Sequence, residues 1–130
     1  NLPVGRLSRK PHGEFPEYHT SADNMDFIAP GHLAESYLFL LKAISLMEGN
    51  RYWINQNPMG EPQLGKRGLY KHVGGQSHQQ DYQMALLWIL NLADGKHSMV
   101  DIAKRSGLDF ELLSKAVDDL NTAGLLKESK

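Results

Sequence analysis

One short stretch holds the residues of this chain that are best suited to chemistry: FPEYHTSADN, residues 15–24. His19 stands there between Tyr18 and a run of small polar residues, and two acids, Asp23 and Asp26, follow closely. An imidazole can bind a metal ion or transfer a proton. Because no helical or strand periodicity runs through the stretch, it is predicted to form a loop.

The spacing of the histidines alone does not predict a metal site. A zinc site needs three or four ligands, and the sequence contains no HExxH, HxH or other paired-ligand motif. His12 and His32 are too loosely placed to complete a site with His19. A solitary loop histidine is more often structural or exposed than a ligand, so both interpretations stay open at this point.

The composition indicates a folded protein of modest size. The chain has 130 residues, of which 41% are hydrophobic, enough for the core of one ordinary domain or two small ones. Its net charge of −1 lacks the basic excess that favours nucleic-acid binding. The absence of cysteine excludes disulfides and thiolate metal sites, and no apolar run reaches the roughly 18 residues of a membrane span. The start, NLPVGRLSRK, has no initiator methionine and no signal-peptide core, so we interpret the chain as a piece of a longer protein.

The first part of the chain predicts a loop followed by one long helix. Residues 1–29 carry three prolines and two glycines, and only VGRLS, residues 4–8, has the pattern of a short edge strand. Pro30 suits the first turn of a helix, and Gly49 with Asn50 predicts its end. Apolar residues cover most of the circumference of this helix, which is typical of a helix that is covered on two sides.

The middle of the chain, residues 55–80, contains five glycines and two prolines, which exclude a long regular element. Lys66 and Arg67 lie among these glycines and could bind an anion. The absence of a GK[ST] motif and of a helix start nearby favours a docking segment instead. Its apolar residues are expected to pack against a folded domain: Leu64, Leu69, Tyr70 and Val73.

From Asp81 onward the pattern predicts three helices and a strand in the order of a winged helix-turn-helix. The first helix contains Trp88 and is followed by a turn, DGKH. Ser98 and Asp101 have the spacing of a capping box at the start of the second helix. The predicted fold class is therefore mainly α, of the α+β type. The later boundaries are marked by Gly107, Asp109, Gly124 and the segment LLKES.

The third helix of this unit is the one that would read DNA, and its charge argues against that role. Residues 109–123 contain four acidic residues and one lysine, a net charge of −3, whereas DNA affinity depends on Lys and Arg near phosphates. Lys104 and Arg105 precede this helix and do not reverse the sign of its net charge. The pattern favours a protein-interaction module, with a DNA-binding regulator as the alternative. Trp53 and Trp88 are expected in the core.

The stretch FPEYHTSADN resembles the closing motif of the co-catalytic two-zinc aminopeptidase family. The resemblance implies that His19 is a zinc ligand. It implies that Tyr18 lies beside the substrate carbonyl, as a substrate or transition-state contact. By the same resemblance, Asp23 is a supporting residue and residues 30–48 form the packing helix.

The motifs NPMGEPQLGKRGLY and ALLWILNLADGKHSMVDIAKRSGLDF resemble a bacterial group of aminopeptidase-like proteins that end in a winged helix. Some members of this group are labelled polysaccharide-biosynthesis proteins. The resemblance implies a cytoplasmic hydrolase and three parts in this chain. These are residues 1–57 from the C-terminal end of an α/β zinc-peptidase domain, a Gly/Pro-rich docking linker at 58–80, and a winged helix-turn-helix domain at 81–130.

The other metal ligands and the general-base glutamate of that family lie upstream of its closing motif and are absent from these 130 residues. Hydrolysis needs a metal-activated water, a base and a Lewis acid. The intact protein is therefore expected to be a zinc enzyme, and this piece alone to be inactive and not to bind zinc tightly. Expected partners are the rest of the peptidase domain, a peptide or small amide substrate, and a protein partner or second copy. Neither specific nucleic-acid binding nor a membrane is expected, and a non-catalytic interaction module is the alternative.

Overall fold

The computed structural model describes residues 5–70 and 76–129 of the chain. The chain divides into two compact units, Asn1–Ile44 and Ser45–Lys130. Its mixture of helices and a small antiparallel sheet confirms the predicted α+β class. The elements in chain order are α1 (Pro30–Gly49), β1 (Tyr52–Asn55), α2 (Gln76–Leu92), β2 (Asp94–Ser98), α3 (Met99–Ser106), α4 (Phe110–Thr122) and β3 (Leu126–Glu128).

Helix α1 begins at Pro30 and ends at Gly49, as predicted, and none of its side chains is buried. The prediction of a strand at residues 4–8 is wrong for the described part, because residues 5–8 do not form a strand. A short extended segment is not stable without a partner strand, and Val4 lies outside the described residues. No helix in the part of the chain that the structure describes is long and apolar enough to cross a membrane. The large apolar side chains that α1 exposes are Leu33, Tyr37, Leu38, Phe39, Leu40, Leu41, Ile44, Leu46 and Met47.

The second unit contains a three-stranded antiparallel sheet in the order β2-β1-β3. In the central strand β1, Trp53 pairs with Glu128 of β3. Asn55 ends this strand and donates from Nδ2 to the Leu90 carbonyl of α2 at 2.9 Å. Residues 1–57 are predicted to belong to the peptidase domain, yet β1 lies within that range and pairs with the strands of the winged helix. The boundary itself stays a prediction for the intact protein.

Helices α2, α3 and α4 pack together with the sheet around one apolar core. This shared core explains why apolar residues recur at helical spacing in α2 and α4. Trp53 is buried at 9% exposure and Trp88 packs partly buried against the core, as expected. The largest fully buried side chains are Leu64, Leu86, Ile89, Met99, Ile102, Leu113, Leu120 and Leu125.

Two element boundaries differ from the sequence prediction. Helix α2 begins at Gln76 and not at Asp81, because the polar residues before Asp81 include no glycine or proline that would stop a helix. The segment DGKH, predicted as a turn, is part of strand β2. Its backbone pairs with β1, and Gly95, the second residue of β2, adopts a left-handed φ of 76°.

The caps of α3 and α4 agree with the prediction. Ser98 Oγ accepts from the Asp101 N–H at 3.2 Å, and the Asp101 carboxylate accepts from the Ser98 N–H at 3.0 Å. Gly107 closes α3 with a left-handed φ of 70°. Asp109 starts α4 and accepts from the Glu111 N–H at 2.8 Å. These bonds satisfy amide groups that the first turn of a helix leaves unpaired.

The described part of the segment before α2 packs on the core of the second unit, to which it belongs. Leu64 is 1% exposed, and Leu69 contacts the core. Arg67 donates from Nη1 to the Ala123 carbonyl at 3.3 Å, which ties the segment to the end of α4. This hydrogen bond is the kind of contact that the predicted docking segment needs. Val73, predicted to pack in the same way, lies outside the described residues.

Candidate functional site

A succession of turns positions Tyr18 and His19 in the first unit. The Tyr18 N–H donates to the Phe15 carbonyl at 3.2 Å, and the Thr20 N–H donates to the Glu17 carbonyl at 3.1 Å. The Thr20 hydroxyl donates to the same Glu17 carbonyl at 2.9 Å. Small polar residues form such bonds with the nearby backbone, which is why this part of the sequence folds into turns.

His19 has an unusual backbone conformation for a residue with a side chain. Its φ is 58°, and it is the one non-glycine residue with positive φ among those that the structure describes. Histidine reaches this left-handed region more readily than most residues, but the conformation still costs free energy. The side chain is exposed, and its ring stacks on that of Tyr18 with centroids 4.0 Å apart. The imidazole is therefore available for binding.

Tyr18 is held by an aromatic cluster in the same unit. His12 stacks on its ring at a centroid distance of 5.0 Å, and Phe15 approaches it edge-on at 5.5 Å. Phe27 stacks in turn on Phe15 at 6.1 Å. Stacked and edge-to-face contacts stabilise such clusters beyond the burial of the rings. The cluster therefore fixes Tyr18 and, through it, the ring of His19.

Asp23 lies at a cavity next to the aromatic cluster of this unit. It lines this cavity of about 520 Å³ together with His12 and Phe15, whereas Tyr18 and His19 are not among the lining residues. The structure thus brings Tyr18 and His19 together, and Asp23 shares the neighbours His12 and Phe15 with Tyr18. The supporting role of Asp23 stays a prediction.

The side chain of His19 has the donor atoms that the predicted role as a metal ligand requires. An exposed imidazole is a suitable donor for zinc, which takes three or four protein ligands. Among the described residues, no three histidine, aspartate or glutamate side chains are grouped so that they would hold a metal ion. The further donors of a site that includes His19 would come from another part of the protein.

Helix α4 presents an acidic surface in the second unit. Glu111 and Asp118 are exposed, and Asp119 accepts a hydrogen bond from the Tyr82 hydroxyl of α2. Burial and the Asp119 carboxylate raise the pKa of Tyr82, so the hydroxyl remains the donor of this hydrogen bond. Lys115, the single lysine of α4, lies 5.9 Å from the centre of the Tyr82 ring. The predicted negative charge is therefore present on the folded helix.

A second cavity, of about 300 Å³, lies beside β1 and brings together residues for which the sequence suggests no shared role. Arg51 and Glu128 form an ion pair of 2.7 Å on its wall. Trp53 and Asp118 also line it. The pairing of β1 with β3 creates this group, and local patterns do not reveal such pairings. Arg51 directly precedes β1, and its place beside Trp53 and Glu128 has no signal in the local sequence.

The family comparisons agree with the architecture of the second unit. Residues 51–128 match the family model described as winged helix-turn-helix. This match covers more than half of the chain, and the chain belongs to the winged helix-turn-helix family. Residues 1–50 match a family described as a domain of unknown function (DUF4910).

A curated relative and a solved structure, both from Clostridium acetobutylicum and both longer than this chain, are similar to it. One is named for polysaccharide biosynthesis and an aminopeptidase-like domain; it is 47% identical over 127 residues, which are 98% of this chain and 29% of that protein. A crystal structure of a protein named as a peptidase matches with a TM-score of 0.76 and 42% identity, over 88% of this chain and 24% of that one. The chain thus spans less than a third of the relatives it matches, in their C-terminal part.

Proposed function

We propose that this chain is the C-terminal part of a bacterial, cytoplasmic, zinc-dependent aminopeptidase-like hydrolase and that His19 is one of its metal ligands. The observation that carries the proposal is the exposed His19 imidazole, which stacks on Tyr18 from a left-handed backbone conformation. Residues in such costly conformations cluster at functional sites. The similarity to a relative that is named for an aminopeptidase-like domain supports the same class of activity.

In this proposal, each residue of the FPEYHTSADN stretch has a limited task. Zinc, when bound, supplies an activated water molecule and polarises the substrate carbonyl. His19 would hold the metal through the lone pair of one imidazole nitrogen, and the Tyr18 ring would keep that imidazole in place. The Tyr18 hydroxyl contacts the substrate, which is a peptide or another small amide, and Asp23 supports the site.

The second unit acts as a docking module for a protein in the same proposal. Its support is the acidic surface of α4, with Glu111 and Asp118 exposed. Carboxylates on a helix that has to enter a DNA groove are repelled by the phosphates. The same charges attract a basic protein surface and increase the rate at which it associates.

Replacement of His19 by alanine in the intact protein tests the ligand assignment. The variant should lose bound zinc, measured by elemental analysis. Its turnover of an aminoacyl p-nitroanilide should fall by more than the roughly 10–100-fold that follows loss of a residue supporting a metal ligand. His32→Ala is the matched control, because His32 is also an exposed histidine of the first unit but is not part of the aromatic cluster that holds Tyr18. Unchanged zinc content in His19→Ala, or an equal loss in both variants, rejects the assignment.

A further inference from the structure

We propose that His12 is a positioning residue of the candidate site: its ring holds Tyr18 so that the Tyr18 hydroxyl meets the substrate carbonyl. The inference rests on the proposed function and deepens it, because it names a residue on which the contact between Tyr18 and the substrate depends. His12 lies outside the FPEYHTSADN stretch, so the family resemblance gives it no role. It acts through Tyr18 and contacts neither the metal nor the substrate.

The hydroxyl of Tyr18 takes its position from ring contacts. The hydrogen bonds of the surrounding turns are formed by backbone groups and by the side chains of Thr20 and Asn24. None of these bonds involves the Tyr18 hydroxyl, which is therefore available to a substrate. Because the terminal torsion of a tyrosine is broad, the rings packed against Tyr18 determine where its hydroxyl lies.

Three rings contact Tyr18 in two different ways. His12 and His19 lie nearly parallel to it, at interplanar angles of 25° and 14°. Phe15 meets it edge-on, at 72°. A parallel contact along a face and an edge-on contact restrict different rotations of the ring, so the loss of either one frees a rotation. His12 therefore supplies a restraint on Tyr18 that Phe15 does not replace.

A turn of defined geometry positions His12. The Glu14 N–H donates to the Pro11 carbonyl at 3.3 Å, and Gly13 adopts a left-handed φ of 85°. A positive φ at the third residue is typical of a type II turn and favours glycine there. His12 occupies the second position of this turn. Its side chain therefore projects from a closed backbone turn, although the ring itself is exposed.

His32 provides a matched comparison within the same unit. It lines the same cavity of about 520 Å³ as His12, and both side chains are exposed. The ring of His32 is not among the rings that contact Tyr18. Contact with Tyr18 thus distinguishes two histidines that otherwise share one cavity.

Steady-state kinetics of the zinc-loaded intact protein with an aminoacyl p-nitroanilide tests the role of His12. In His12→Ala, kcat should fall by roughly tenfold, the lower end of the range for loss of a supporting group, while KM and the zinc content stay unchanged. Such a split is expected when the lost interaction acts in the transition state. His12→Phe keeps an aromatic ring against Tyr18 and should restore most of kcat. The control His32→Ala should retain the kcat of the unaltered protein.

A double substitution shows whether His12 acts through Tyr18. Tyr18→Phe removes the hydroxyl but keeps the ring, so the addition of His12→Ala to this variant should lower kcat no further. Crystal structures of the intact variants give a readout that does not depend on turnover. The end of the Tyr18 ring should be displaced by about 1 Å in His12→Ala, a shift large enough to lower the rate, and should stay in place in His12→Phe.

Three outcomes would overturn the positioning role. The first is an unchanged kcat in His12→Ala, and the second is an equal loss of kcat in His12→Ala and His12→Phe. The third is loss of zinc from His12→Ala, because His12 would then act on the metal site as a whole. The proposed function fails separately, if the unaltered intact protein binds no zinc or does not hydrolyse the substrate, and this inference then falls with it.

Discussion

Asp94 shows how backbone groups determine the charge of a side chain in this protein. Its Oδ1 accepts from the Lys96 N–H at 2.8 Å and from the His97 N–H at 3.0 Å. These bonds, first the one from Lys96, lower the pKa of Asp94 from 3.8 to about 2. A charged Asp94 therefore stabilises the first residues of β2.

The stability of the second unit should depend on pH through Asp94. Because the pKa of Asp94 is lower in the folded than in the unfolded chain, its stabilisation is complete above about pH 4 and is lost as the pH falls toward 2. Asp94→Asn keeps an acceptor oxygen but cannot titrate. Its urea midpoint, followed by circular dichroism, should therefore change less between about pH 4 and pH 2 than that of the unaltered chain. Parallel changes in the two proteins would contradict this role of Asp94.

At the scale of elements, the sequence predicts the ends of helices better than the pairing of strands. The caps at Ser98, Gly107 and Asp109 depend on residues within a few positions of each other, so the residue types alone indicate them. β2 is extended because it pairs with β1, which is distant in the chain. No local pattern contains that information, and DGKH therefore resembles a turn.

The two candidate sites also differ in how much of each can be predicted from the sequence. The identity of His19 as a possible ligand comes from its motif, but its left-handed conformation depends on the fold of the surrounding turns. The cavity beside β1 depends wholly on tertiary structure, since Arg51 and Glu128 meet there although 77 positions separate them in the chain. The sequence therefore predicts the first site in part and the second not at all.

Helix α4 should not support specific binding to duplex DNA. Each neutralised phosphate contributes close to one unit of slope in log affinity against log salt, and α4 offers Lys115 alone against its carboxylates. A titration of random duplexes at low and moderate salt should show only weak binding. Sub-micromolar affinity with a steep salt slope would contradict this. Loss of such binding in Lys104→Glu or Arg105→Glu would show that α3 faces the DNA.

At the scale of the whole molecule, the two units differ in how much apolar surface they bury. The core consists of residues in the second unit, whereas no side chain of α1 is buried. A helix gains little stability without packing, and large exposed apolar patches are typical of interaction surfaces. We expect the apolar surface of α1 to be covered in the intact protein by the remainder of the peptidase domain.

The second unit should therefore fold alone, and the first should not. Residues 45–130 expressed separately should unfold in one cooperative urea transition and protect the amides of α2 and α4 from hydrogen exchange. Residues 1–44 expressed separately should show almost no protection. A compact, exchange-protected monomer of residues 1–44 would contradict this expectation, and size measurement in dilute solution would exclude association as its cause.

The most direct test of the central claim, that His19 binds the metal of a larger hydrolase, is X-ray diffraction from zinc-loaded crystals of the intact protein. Anomalous difference density measured at the zinc absorption edge should show an ion at about 2.0–2.1 Å from a ring nitrogen of His19. Its other ligands should lie outside the 130 residues described above. A zinc ion that is fully coordinated by other residues, with the His19 ring beyond bonding distance, would contradict the claim.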